Sequence, residues 1–239
     1  ITFKAECLQE TGSFKLRGAS SAISVLSKEE KSRGVVAFSS GNHAQGIAYA
    51  SRELGTSAKI VMPSDAPKIK IWKTQEYGAE VIFYERDEDN REEIGFSIAK
   101  EEGRKLIKPF DDLNVIYGQG TAALEVMNEV DTKFDMSVVC CSGGGLAAGT
   151  GIVLKNSLSD CQLYTAEPKD WNDHEKSFLQ NNIVSIKTKK HGMCDALENP
   201  QPGEITFRIN SALNTKGLSA NDKYIICLLY TSDAADDTP

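Results

Sequence analysis

The 239-residue sequence has no apolar run of membrane-spanning length and no signal-peptide pattern at its start, so neither a helical membrane protein nor a secreted one is indicated. It has no basic block, and its net charge of −7 argues against nucleic acid or an anionic membrane as partner. Its six cysteines include no C-x-x-C pair and no companion histidines at zinc spacing, so a reducing cytoplasm is expected. Internal repeats and low-complexity linkers are absent. What remains is an ordinary globular composition, 40% hydrophobic and 26% charged, long enough for one large domain or two small ones.

From Val35 onward strands alternate with helices, and β-α repetition implies a parallel sheet covered on both faces. Strands are expected over Val35–Ser39, Ala58–Met62, Glu80–Tyr84, Met136–Cys141, Gln162–Glu167 and Lys223–Leu229. Helices are expected over His43–Leu54, Lys68–Tyr77, Glu92–Glu102, His174–Gln180 and Ile205–Leu213, with one reached through Ile116–Gly120 and another continuing over Gly149–Asn156. Residues Ile1–Glu6 read as a strand entered midway. Residues 228–239 change character abruptly and read as a disordered or non-native tail.

Three stretches carry chemistry. In Glu10–Ala19 a lone lysine, Lys15, follows Phe14 between two glycines where a helix is about to begin, with Thr11 and Ser13 as capping residues. A lysine held near the positive end of a helix dipole loses some of its preference for the charged form, and a neutral amine attacks aldehydes to form a Schiff base. Ser39-Ser40-Gly41-Asn42-His43 follows an apolar strand and offers hydroxyls, an amide and a helix start to a carboxylate. Ser142-Gly143-Gly144-Gly145-Leu146 follows another and presents successive backbone N–H groups that a phosphate can approach closely. Each alone reads as a turn; an amine, a carboxylate loop and a phosphate cradle together are the parts of a pyridoxal phosphate site.

The segments SFKLRGA, SSGNHAQG and SGGGLAAG, in that order, resemble the serine/threonine dehydratase and serine racemase family of fold-type II pyridoxal phosphate enzymes, from about the first residue to Asn221. The resemblance implies a tryptophan synthase β-like α/β fold. A large cofactor domain of 1–33 and 112–227 would enclose a small domain of 34–111, with the site in the cleft between them. Both ends of the family pattern are missing, including the late serine or threonine that meets the pyridine nitrogen. The resemblance makes Lys15 the Schiff-base lysine and proton carrier and packs Phe14 against the cofactor ring. Asn42 meets the cofactor's phenolic oxygen, and Ser142, Gly143, Gly144, Gly145 and Leu146 hold its phosphate. It places Ser39, Ser40, Asn42 and His43 on the substrate, His43 as support rather than base, and makes Ser40 the opposite-face proton donor of a racemase. Arg91 faces the cleft to pair an anionic substrate group, against the plainer reading of a solvated arginine among acids. Glu167 and Asp173 match the pair that holds magnesium or calcium in metal-responsive relatives, although acidic loops usually hold nothing.

The expected activity is water elimination from threonine or serine, giving a 2-oxo acid and ammonia. The alternatives are a 3-hydroxyaspartate dehydratase, a serine racemase, or a non-catalytic cofactor- or amino-acid-binding module. A small amino acid is the expected partner, and a homodimer is carried over from the family.

Overall fold

The computed structural model describes residues 1–131, 133–188 and 190–236. The chain divides into two compact units, Ile1–Asp131 and Thr132–Pro239.

The first unit is built on a parallel sheet of β1 (Val35–Phe38), β2 (Ala58–Pro63), β3 (Glu80–Tyr84) and β4 (Lys105–Leu106), in the order β3-β2-β1-β4. Parallel neighbours require crossovers, and α3 (Asn42–Glu53), α4 (Lys68–Glu76) and α5 (Arg91–Glu102) supply them. β1 is central and buried at all four positions, as a strand covered on both faces must be. Its side chains alternate. Val35 and Ala37 join Ile23, Ala44, Ile47 and Ile60 in one core, while Val36 and Phe38 pack with Val61, Ile94 and Ile98 in another. The first core is closed by α1 (Lys15–Ser24) and α6 (Leu113–Glu129). A short helix α2 (Lys28–Arg33) precedes β1 and starts at a reciprocal Ser27–Glu30 capping box.

The second unit carries β5 (Met136–Cys140), β6 (Gln162–Pro168) and β7 (Lys216–Ala220), parallel in the order β5-β6-β7. Its helices are α7 (Gly145–Ser157), α8 (Asp173–Gln180), α9 (Glu204–Ala212) and α10 (Asp222–Asp236).

Four expectations are corrected. Lys223–Leu229 lies in α10 and the last strand is β7, because a short apolar run is compatible with either period. Helix α10 runs on to Asp236, into the 228–239 segment read as a tail; residues 237–239 lie outside the described residues. Ile1–Glu6 forms no strand and leads into a single 3-10 turn, Glu6–Leu8. Ile116-Tyr117-Gly118-Gln119-Gly120 lies inside α6 rather than ahead of it, because the Asp112 carboxylate caps the helix by accepting from the N–H of Asn114 and Val115. The 34–111 segment contains the four-stranded sheet, and the first unit adds α1, α2 and α6 to it.

Candidate functional site

Lys15 is the first residue of α1. Phe14 stands at the N-cap position without a side-chain cap, and Ser13 Oγ accepts only the Lys15 N–H, at 3.4 Å, so neither Thr11 nor Ser13 caps as expected. Two glycines position this turn. A Cβ on Gly46 of α3 would lie 3.1 Å from the carbonyl carbon and oxygen of Lys15, and one on Gly118 of α6 would lie 2.4 Å from the Arg17 carbonyl oxygen. The start of α1 therefore sits backbone-close to both helices. Two residues on, the Arg17 guanidinium donates to both carboxylate oxygens of Glu6 at 2.7 and 2.8 Å and of Glu125 at 2.6 and 2.7 Å, and to Thr121 Oγ1 at 3.0 Å. Such forked, charge-assisted bonds fix geometry as well as energy. They hold the Glu125 carboxyl down at about 2.

The Lys15 side chain is half-buried, its Nζ donates to the Pro109 carbonyl at 2.7 Å and lies 5.4 Å from the Phe14 ring centroid. Ser39, Ser40 and Asn42 are half-buried where β1 turns into α3, and the Ser39 hydroxyl shapes the turn by accepting the Gly41 N–H at 3.2 Å. The N–H groups of a first helical turn have no intrahelical acceptor, so this loop offers donors to an anion. His43 is buried, with Nε2 3.1 Å from the Ile107 carbonyl. Burial first, and the Lys15 charge second, push its pKa down to about 3, against the pull of the Ile107 bond. Its ring is thus a neutral internal support, and what it can present to a ligand is its backbone N–H. Arg91, at the start of α5, lies with its guanidinium 5.7 Å from the ring centroid of Phe38, the residue before Ser39. One contributor was not visible in the sequence: a Cβ on Gly41 would lie 3.5 Å from Lys70 Nζ, so α4 brings an ammonium group against the serine loop.

In the second unit, Ser142–Gly144 leads from β5 into α7, whose first residues are Gly145 and Leu146, with Gly144 at φ +93° where an L side chain is strained. No acidic residue stands in the first turn of α7, and the N–H groups of Gly145, Leu146 and Ala147 open the helix. The outer side of α9 is exposed, but Thr206 and Asn210 are fully buried. Thr206 Oγ1 donates to the Gly143 carbonyl at 2.6 Å and Asn210 Nδ2 to the Gly144 carbonyl at 3.3 Å. Nothing in the sequence marked Asn210.

Glu167, near the end of β6, accepts the N–H of His174 at 2.9 Å and of Glu175 at 2.8 Å, and Asp173 opens α8 with its side chain buried. Burial raises both carboxyls above the ordinary carboxylate range, and for Asp173 the Glu167 charge adds to it. Two buried acids pressed together suit a hard divalent cation in charge and donor type. Among the described residues no third acid, histidine or cysteine joins them, so backbone carbonyls and water would have to complete a coordination shell.

The half-buried amine and serine loop of the first unit, and the acid-free glycine turn of the second, are the donor types that an aldehyde-bearing phosphate cofactor requires, and the residues fit it. Among the described residues no helix is long and apolar enough to cross a membrane.

Comparison with known proteins agrees. Residues 1–229 match the family described as pyridoxal-phosphate dependent enzyme. The chain is 44% identical to the L-threo-3-hydroxyaspartate ammonia-lyase of Saccharomyces cerevisiae, over 98% of this chain and 71% of that protein. It is 40% identical to the serine racemase of Schizosaccharomyces pombe, over 96% of this chain and 71% of that protein. Among solved structures, the processed form of threonine deaminase isoform 2 from Solanum lycopersicum superposes with a TM-score of 0.85 at 33% identity, covering 90% of this chain and 59% of that one. The α/β fold, the cofactor and the lyase class read from the motifs agree with these matches, and the chain belongs to the fold-type II branch of the pyridoxal-phosphate dependent enzyme family.

Proposed function

We propose that this chain carries the catalytic residues of an ammonia-lyase that removes water from a β-hydroxy amino acid and releases a 2-oxo acid and ammonia. The observation that carries the reading is Lys15, a half-buried amine that opens α1, held by the Pro109 carbonyl and packed against the helix whose first turn bears the serine loop. When bound, pyridoxal phosphate would supply an electron sink for charge developing at the substrate's Cα. Lys15 would hold the cofactor through its aldehyde carbon, and its Nζ, when free, would accept the substrate's Cα proton. Phe14 would pack on the ring, Asn42 would orient it, and Ser142 with Gly143, Gly144, Gly145 and Leu146 would receive the phosphate. Ser39, Ser40 and the N–H groups of Asn42 and His43 receive the substrate carboxylate. Glu167 and Asp173 would hold magnesium or calcium as a structural or activating ion. Residues 1–33 and 112–227 form the cofactor domain in this reading and 34–111 the small domain.

Threonine or serine is the first-choice substrate. A 3-hydroxyaspartate is favoured specifically by Arg91, whose guanidinium sits on the ring next to the serine loop and can pair a second carboxylate. A racemase would rely on Ser40 for proton return. Six scattered cysteines with no C-x-x-C pair support a cytoplasmic setting, and a homodimer follows from the family resemblance. The test is 2-oxo acid formation from L-threonine, L-serine and L-threo-3-hydroxyaspartate, with Arg91→Met and Ser40→Ala alongside. Loss confined to the dicarboxylate in Arg91→Met assigns the substrate; loss of racemisation alone in Ser40→Ala assigns its role. Unchanged 2-oxo acid formation by Lys15→Ala would sink the proposal.

A further inference from the structure

The glycine turn is fixed only in part by its own helix, where the Ala148 N–H donates to the Gly144 carbonyl at 2.9 Å. Glycine is the least restricted residue in the unfolded chain and in loops, so three in succession need outside fixing to present N–H groups on one side. In a planar trans peptide the C=O and the next residue's N–H point in opposite directions. A donor that fixes one therefore aims the other.

Helix α9 brings two such donors. Thr206 Oγ1 binds the Gly143 carbonyl at 2.6 Å, and four residues on, Asn210 Nδ2 binds the Gly144 carbonyl at 3.3 Å. Residues i and i+4 share a helix face, and both side chains are 0% exposed. The backbone adds to the clamp, with Gly203 N–H reaching the Gly143 carbonyl at 3.3 Å. On the same side, a Cβ at Gly144 would lie 2.6 Å from His174 Cε1 and 3.0 Å from Thr206 Oγ1, so α8 and α9 pack directly against the Gly144 α-carbon. The Gly144 carbonyl belongs to the peptide that carries the Gly145 N–H, the first donor of α7.

We propose that Thr206 and Asn210 are positioning residues for the cofactor phosphate: by drawing the Gly143 and Gly144 carbonyls toward α9, they turn the N–H groups at the head of α7 outward to form the anion cradle. This rests on the reading of Ser142–Leu146 as the phosphate site. Neither side chain touches the phosphate. Their effect should appear only with ligands that have one.

The experiment compares pyridoxal phosphate with pyridoxal, which has the same aldehyde and ring and no phosphate. Both are titrated into the 239-residue chain and its variants by absorbance, with thermal unfolding of each apo protein recorded in parallel. Thr206→Val should weaken pyridoxal phosphate binding about ten- to a hundredfold, the scale of a lost buried hydrogen bond. Its pyridoxal affinity should stay within about twofold of wild type by the same argument. Thr206→Ser keeps the hydroxyl and should restore phosphate-dependent affinity. Asn210→Ala should show the same selectivity in smaller measure, its bond being longer. Equal losses for both ligands, or no loss in either variant, would overturn the inference. If Thr206→Val does not fold, Asn210→Ala and Thr206→Ser decide the matter by the same comparison. A wild-type chain that binds the two ligands equally refutes the phosphate-site reading itself, which separates that failure from failure of the clamp.

Discussion

Gly118 lies within α6, where replacing glycine by alanine ordinarily stabilises a helix by about 1 kcal/mol. The structure reverses that sign. A Cβ at this position would meet the Arg17 carbonyl oxygen at 2.4 Å, the Gly18 α-carbon at 2.7 Å and Ser21 Cβ at 2.7 Å. Two of these three are backbone atoms, so no rotamer change relieves the clash and α1 has to move away from α6. Overpacking of this kind costs about 1–3 kcal/mol, and a backbone obstruction belongs at the upper end. Subtracting the propensity gain leaves a net loss of about 1–2 kcal/mol for Gly118→Ala. In a protein of this size that lowers the melting temperature by about 2–8 °C. The displaced helix carries Lys15 on its first turn, so cofactor binding should weaken alongside stability, since misplacement by an ångström is costly in a preorganised site. Calorimetry or circular dichroism of the apo protein reads the first effect, and absorbance titration with pyridoxal phosphate the second. A melting temperature equal to or above wild type would refute the packing argument, because propensity alone would then be in control.

Other perturbations test separate parts of the account. Buried His43 has its pKa lowered from 6.5 to about 3, so the unfolded chain takes up a proton between these values and the folded chain does not. Stability present above pH 6.5 is thus lost on acidification, by about 2 kcal/mol from pH 7 to pH 5, and a urea-unfolding series on His43→Gln should lack that component. Arg17→Met leaves the carboxylates of Glu6 and Glu125 without their forked partner and should cost about 2 kcal/mol or more, as broken charged hydrogen bonds do; urea unfolding measures it, and an unchanged midpoint would reduce the clamp to ornament. Glu125→Gln should remove the part of acid sensitivity that develops as pH falls from the ordinary glutamate range toward about 2, because that carboxyl is held low in the folded state. If Glu167 and Asp173 hold a divalent cation, millimolar magnesium or calcium should raise the melting temperature of the wild type and leave Glu167→Gln with Asp173→Asn unmoved.

The parts of the fold legible in the sequence were those written in local patterns. Val35–Phe38, Ala58–Pro63 and Glu80–Tyr84 are apolar runs with clear stops, and each is a strand of the first sheet. The glycine turn and the serine loop were legible because each strings its donors along consecutive residues. Contributors from distant chain were not. Arg17 meets Glu125 across 108 positions, Lys70 reaches Gly41 from another helix, and Thr206 reaches Gly143 across 63. Each looks like an unremarkable polar residue in its own helix, and only folding reveals the partner. The error at Lys223–Leu229 has a different origin. Seven residues of mixed apolar and aromatic type satisfy a strand or two helical turns equally, and the true strand, Lys216–Ala220, is short and holds a glycine against α8, where a Cβ would lie 2.3 Å from the Glu175 α-carbon.

The central claim is that Lys15 carries the cofactor. Pyridoxal phosphate added to the chain, followed by borohydride reduction and peptide mapping, tests it most directly. The expected result is a visible absorbance band that reduction abolishes and one modified peptide, containing Lys15. A modification spread over several surface lysines, or confined to a lysine other than Lys15, would contradict it.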